Sequence, residues 1–428
     1  MTTHTSHLAP PEPSLQTLAD ADVLSGRDAV AAAAAYVAAQ ALADGPVGRV
    51  GLELELHLVD LARPAERVAW ADVMALVAAM PAMPSGSSVT LEPGGQLELS
   101  TPPHADVVSS VAALRADRDV LRAALAARGY AAVPLGADPV RPPRRVNPHA
   151  RYDAMERHFA ARSCAGAGLA MMTATAALQV NLDAGPAAGW SDRLALLRSL
   201  VPVLVAASAG SPYLGGRSSG WSSMRQETWQ GIDSGRSDPV TSGEPGVAWA
   251  LYALDAPVML VREGAAMRAV TERVTFAAWL RDPALIGRPA TLTDLDYHLT
   301  TLFPPVRPRG YVEIRCVDAL PDRWWPAVAA LVVGLVDDPV AADLAAELCE
   351  PVAGAWERAA RDGVTDPDLR RAVAGCTDLA ARRAPAGLRT ELEALATLVA
   401  DGSSPGQELR AVADTRGPLA LLEEEARA

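Results

Sequence analysis

The stretch GLELELHLVD, residues 51–60, alternates without a break: Glu53, Glu55 and His57 take odd positions, with Leu52, Leu54, Leu56 and Leu58 between them. A period of two belongs to an extended strand, whose successive side chains point to opposite faces. Four leucines on one face require a covered sheet, so this chain is built around a sheet with one apolar and one polar side. Taken alone, the polar side reads equally as a solvated surface or as the wall of a site.

A second stretch tips that balance. In SSVTLEPGGQLELSTPP, residues 87–103, a Pro-Gly-Gly turn separates two short extended arms, which reads as a hairpin. Its second arm again sets Gln96 and Glu98 on one face and Leu97 and Leu99 on the other, with Glu92 just before the turn. Two carboxylate-rich strand faces side by side repel and raise each other's pKa unless a cation lies between them. Magnesium suits that place, since hard divalent ions prefer carboxylate oxygens and bridge phosphates during phosphoryl transfer. A third strand, GYVEIRCVD, places Glu313 and Arg315 on one face; the pair is compatible with a site or with a simple ion pair.

Composition narrows the chemistry. The 428 residues, half of them hydrophobic, can bury a large core. A net charge of -13 and a pI near 5.1 argue against nucleic acid or an anionic membrane as partner. No lysine occurs, so all 38 basic residues are arginine, and P-loop, Schiff-base and similar lysine chemistry is excluded. Any phosphate or carboxylate must be gripped by arginine, metal or backbone, and arginine does so in bidentate fashion. Cys164, Cys316, Cys349 and Cys376 lie far apart, as expected for reduced thiols in a cytoplasmic protein. The N-terminus lacks a secretory pattern, and the apolar run 324–336 is too short to span a bilayer.

Along the chain, residues 1–20 are expected to form a disordered tail and 21–428 a single catalytic domain, with 321–428 a mainly helical cover. Segments 28–45, 105–129, 150–162 and 191–212 read as helices, the last kinked at Pro202. Segments 130–139, 169–183, 249–263 and 310–318 read as strands, and FPPVRPRG, 303–310, as loop. Residues 213–246, rich in Gly, Ser, Arg and Trp, form a long loop of the kind that carries function. Strands outnumber strand–helix–strand units, so the fold class is α+β with a mostly antiparallel sheet.

The motifs GLELELHLVD, LEPGGQLELS, GADP, RYDAMERHF, ALQVNLD, SSMRQETWQGIDSGR, ALDAPVMLVRE and TTLFPPVRPRGYVEIR, in that order, resemble the plant and bacterial type of glutamate–cysteine ligase. Within that family the pattern is similar to the actinobacterial branch that serves ergothioneine synthesis. The resemblance runs from about Gly51 to Arg323 and implies a glutamine-synthetase-like catalytic fold, a curved sheet forming a funnel with metal-binding carboxylates projecting inward. It implies metal ligation by Glu53, Glu55, Glu92, Glu98 and Glu313. Glu53, Glu98, Arg225 and Arg315 would act in catalysis. Gln96, Gln179, Asn181, Arg225, Trp229, Arg236 and Arg315 would hold the substrates. The implied activity is ATP- and magnesium-dependent joining of the glutamate γ-carboxylate to cysteine through γ-glutamyl phosphate.

Three rivals stay open at this stage: a ligase of the same fold with another amine acceptor, a metal-dependent hydrolase built on Glu53, Glu55 and His57, and a non-enzymatic ion-binding scaffold. The absent H-E-x-x-H pattern lowers the second. His57 has no counterpart in the family pattern and is expected to orient a neighbouring carboxylate rather than bind metal. The last hundred residues carry no matching motif and are expected to be structural.

Overall fold

The structure, a computed structural model, describes residues 23–24, 26, 28–264 and 266–428. The expected tail, 1–20, lies outside them. The main sheet has seven strands: β1 (Val50–Asp60), β2 (Ser88–Leu91), β3 (Leu97–Ser100), β4 (Tyr130–Val133), β5 (Ala177–Leu182), β6 (Val306–Pro308) and β7 (Val312–Asp318). Their order is β6-β7-β5-β1-β3-β2, every pairing is antiparallel, and β4 pairs with the far half of β1.

β1 is the longest strand and spans two neighbourhoods. Residues 50–56 lie between β5 and β3, and residues 57–60 pair with β4. Leu52, Leu54 and Leu56 are fully buried, as are Leu99, Leu178, Val180, Val312 and Ile314 on the neighbouring strands. Each such side chain contributes on the order of 1.5–3 kcal/mol when withdrawn from water. This apolar face packs against the helices Val107–Ala126, Trp190–Ser208 and Trp325–Val336. Trp190–Ser208 is buried almost throughout its second half because the C-terminal helices cover its other side. Pro202 does sit inside it, as the sequence predicts.

Beyond Asp318 every described element is helical. Cys316, Cys349 and Cys376 are buried and all four cysteines are free, with Cys349 and Cys376 sulfurs 3.9 Å apart. No described helix is long and apolar enough to cross a membrane.

Three sequence expectations need correction. The predicted strand 169–183 begins as the helix Ala165–Ala174, and only Ala177–Leu182 is strand. Leu169, Ala170, Met171 and Met172 are strong helix formers, and that preference wins until the alternation of ALQVNL begins. The predicted strand 249–263 is helix over Pro245–Asp255 and strand only over Leu260–Glu263. Glu244 caps that helix by accepting from Gly246 and Val247, Pro245 starts it, and Trp249, Ala250, Ala253 and Leu254 make its buried stripe. The predicted loop 303–310 contains β6, an edge strand, where prolines cost no ladder bond.

Candidate active site

Opposite the leucines, the polar face of the sheet gathers most of the predicted residues by register alone. Glu55 stands opposite Glu98, Glu53 opposite both Gln179 and Ser100, and Glu313 opposite both Asn181 and Arg307. Paired residues of antiparallel strands share a face, so one surface carries the whole set.

Hydrogen bonds fix each side chain. Asn181 donates to Glu53 at 2.8 Å. Glu55 accepts from the Ala177 backbone at 2.8 Å and from Gln179 at 3.3 Å. Glu98 accepts from Thr90 at 2.8 Å and Ser100 at 3.1 Å. Glu92 precedes the turn, which is tight because Gly95 takes a φ of 83° and donates to Glu92 O. A Cβ at Gly94 would lie 2.2 Å from Thr173 O, so only glycine lets the turn press onto the helix end behind it. Gln96 is buried and donates to Thr175 O, which makes it a brace for that turn rather than a group facing substrate.

The electrostatics are unbalanced. Burial raises all four carboxyls, Glu53 to about 7 and Glu92 well above the ordinary range. After burial the next raising influence is a neighbouring glutamate: Glu98 on Glu53 and Glu92, Glu55 on Glu98. Hard oxygen donors crowded on one face and short of positive charge suit magnesium in chemistry. As the side chains stand, each turned to its own hydrogen-bond partner, no three His, Cys, Asp or Glu groups among the described residues converge on one ion position.

Glu313 differs from the other four. Arg307 grips it with two bonds, 2.5 and 3.0 Å, Arg315 lies at 3.2 Å, and the guanidiniums outweigh burial to hold its carboxyl at about 2. A carboxylate saturated by arginine is a poor magnesium ligand, so this geometry sets Glu313 apart from the metal set expected for it. Arg307 was missed because it sits in the stretch read as loop.

β7 carries a bulge: Ile314 pairs with Val180 and Val317 with Leu178, leaving Arg315 and Cys316 both opposite Gln179. Strict alternation therefore fails at the residue that links two parts of the site. Arg315 donates to Gln179 Oε1 at 2.5 Å, and its carbonyl accepts from Arg225 Nη2 at 2.8 Å. Arg225 and Trp229 lie on the short helix Met224–Gln230, capped by Ser223, with the Arg225 guanidinium 5.8 Å from the Trp229 ring centre. Asp318 anchors this helix: it accepts from Ser211, Ser223 and the Gly210 backbone and lies 3.6 Å from Arg225 Nη1. Asp318 closes the quoted strand GYVEIRCVD, yet nothing in its spacing marks the role.

Besides Gln96, two expected residues do not join the face. Arg236 is fully buried, and its guanidinium donates to Asp233, Thr301 O and Oγ1, and Pro257 O, with none left for substrate. It buttresses the loop behind Trp229 instead. His57 is buried beyond the point where β1 leaves β3, and neither ring nitrogen has a hydrogen-bond partner. It lines a small polar cavity with Arg67, Gln96 and Arg141, where burial lowers its pKa to about 4, and it bonds no carboxylate.

The half-buried antiparallel sheet thus presents glutamates and arginines on one side and is covered by helices on the other. A crystal structure of glutamate–cysteine ligase from Francisella tularensis in complex with AMP superposes with a TM-score of 0.54 at 14% identity, covering 90% of this chain and 88% of that one. The α+β class with an antiparallel main sheet, implied by the resemblance, is the fold observed, and that glutamate–cysteine ligase shares it. The chain belongs to glutamate–cysteine ligase family 2 (GCS2), whose model matches residues 49–425. It is 51% identical over 396 residues to glutamate–cysteine ligase EgtA of Mycolicibacterium smegmatis, covering 92% of this chain and 93% of that protein. Identity to the EgtA of Mycobacterium tuberculosis is 51% over 383 residues. The chloroplastic glutamate–cysteine ligase of Arabidopsis thaliana matches at 32% over 285 residues, 64% of this chain and 53% of that one.

Proposed function

We propose that this protein joins L-glutamate to L-cysteine at the expense of ATP, giving γ-glutamylcysteine, ADP and phosphate, as the first step toward ergothioneine. The observation that carries the reading is the sheet face where Glu53, Glu55, Glu92 and Glu98 gather beside Arg315 and Arg225, in a chain 51% identical to EgtA along nearly its whole length.

Magnesium, held by Glu53, Glu55, Glu92 and Glu98, would neutralise the phosphates of ATP and the charge growing on the transferred phosphoryl group. The chain's own residues do the rest by position. Gln179 and Asn181 hold Glu55 and Glu53 on the shared face of the sheet, beside Glu98. Arg315 and Arg225 supply fixed positive charge beside them, which orients the anionic glutamate with its γ-carboxylate toward the terminal phosphate. Attack there yields γ-glutamyl phosphate, and the cysteine amine then displaces phosphate to form the amide. Trp229 lines the amino-acid side of the site. The hydrolase alternative loses its third member, because His57 turns into a separate cavity.

Glutamate labelled with ¹⁸O in its γ-carboxylate tests this chemistry. One ¹⁸O should appear in the released phosphate for each dipeptide formed. Phosphate without label would rule out the acyl-phosphate route.

A further inference from the structure

The C-terminal helices were expected to be mere cover, yet they hold the helix that carries Arg225 and Trp229. Ser222 and Ser223 donate their backbone N–H groups to Arg361 O and Ala360 O, each at 2.9 Å, and Arg410 Nη2 donates to Trp221 O at 2.6 Å. Gly363 makes this approach possible: its φ is 56°, and a Cβ there would lie 3.2 Å from Ser222 Oγ. Trp356, opening the helix Trp356–Asp362, donates its indole N–H to Gln226 Oε1 at 3.1 Å, and Gln226 in turn donates to Cys316 O at 2.7 Å.

Trp356 also lines a small, partly open pocket with Arg225, Trp229, Phe303, Arg315 and Cys316. Within it two buried donors have no hydrogen-bond partner: Arg225 Nη1, which lies 3.6 Å from Asp318 Oδ1 without bonding it, and Trp229 Nε1. Buried polar groups are as a rule hydrogen-bonded, so two such donors lining one pocket are able to serve an acceptor that enters it. A guanidinium and an indole N–H together suit a carboxylate, and the walls of Trp229, Phe303 and Trp356 suit the short carbon chain attached to it.

We propose that Trp356, contributed by the C-terminal region, is the specificity-determining wall of the pocket where Arg225 and Trp229 receive the α-carboxylate end of an amino-acid substrate. The inference rests on the ligase reading above. Glutamate and cysteine share the recognised chemistry, and separate titrations tell which one sits there.

The test compares wild type with Trp356→Ala, Trp356→Leu and Trp356→Phe, measuring KM for glutamate, cysteine and ATP separately, kcat, and thermal midpoint. In the alanine and leucine variants KM for one amino acid should rise at least tenfold, while KM for ATP and kcat stay within about twofold. Phenylalanine should restore most of the affinity. The leucine variant keeps bulk in the wall and decides the matter should alanine not fold. Unchanged KM for both amino acids, or equal shifts in KM for ATP and in kcat, would overturn the proposal. Equilibrium binding of each amino acid by calorimetry reads the pocket without turnover, so loss of tight binding in the variants is separable from any failure of wild type to make dipeptide.

Discussion

Glu55 on β1 and Glu98 on β3 stand directly opposite one another across an antiparallel pair, two carboxylates on the same face of the sheet. Like charges in that relation oppose folding by a few tenths to about 1 kcal/mol. A cation between the two would relieve that repulsion. Glu55→Gln and Glu98→Gln should therefore each raise the magnesium needed for half-maximal rate at least tenfold. The metal-free thermal midpoint should hold or rise. Magnesium titrations identical to wild type would remove both residues from the metal set.

Asp318 positions the helix of Arg225 through Ser211 and Ser223 and lies 3.6 Å from Arg225 Nη1. Arg225→Lys should lower kcat/KM by about a hundredfold, because an ammonium cannot reproduce the guanidinium fork. Asp318→Asn should raise KM for one amino acid with a smaller effect on KM for ATP. Steady-state kinetics with each substrate varied separately would check both, and a hundredfold loss confined to ATP would contradict the assignment.

Arg307 and Glu313 form a buried two-bond pair at the sheet edge. Removing Arg307 leaves Glu313 with Arg315 and Arg309 only, so the cost is a part of the about 3–5 kcal/mol of a fully uncompensated buried charge. Arg307→Met should show that loss in denaturant unfolding. The double variant Arg307→Met/Glu313→Leu should recover much of it, and equal instability of the two would mean the pair matters by shape alone.

His298 is buried, bonds Ala253 O through Nε2, and burial pushes its pKa down to about 3. The unfolded chain takes up this proton near pH 6.5 and the folded protein does not until about pH 3. The contribution to stability is thus full above 6.5 and lost as pH falls toward 3, at up to about 1.4 kcal/mol per pH unit. His298→Gln should flatten the stability profile between pH 6 and 4 by that slope relative to wild type. Parallel profiles would show that His298 titrates normally.

Much of the site was legible because antiparallel register turns sequence alternation into a shared face. Glu53, Glu55 and Glu98 announce themselves by lying between leucines, and Gln179 and Asn181 by the same rule in ALQVNLD. Alternation fails where the backbone departs from it. The bulge at Arg315 and Cys316 breaks parity within β7, and the switch of β1 from β3 to β4 carries His57 out of the row. The strand holding Arg307 was hidden by its prolines, and the helix Pro245–Asp255 by an apolar run that fits either period. Arg236 sits in a functional-looking loop, but Asp233, Thr301 and Pro257, brought to it only by the fold, consume its donors. Trp356 is more than a hundred residues from Gln226, and no local pattern signals that contact.

The central claim, that the glutamate-lined face joins glutamate to cysteine, is tested most directly by phosphate release and product mass. Purified protein would be given ATP, magnesium and glutamate with cysteine, serine, alanine or glycine in turn. Rapid phosphate release with cysteine, matched one to one by γ-glutamylcysteine and much slower with the others, is the predicted result. Release with cysteine no faster than with alanine or glycine would contradict it.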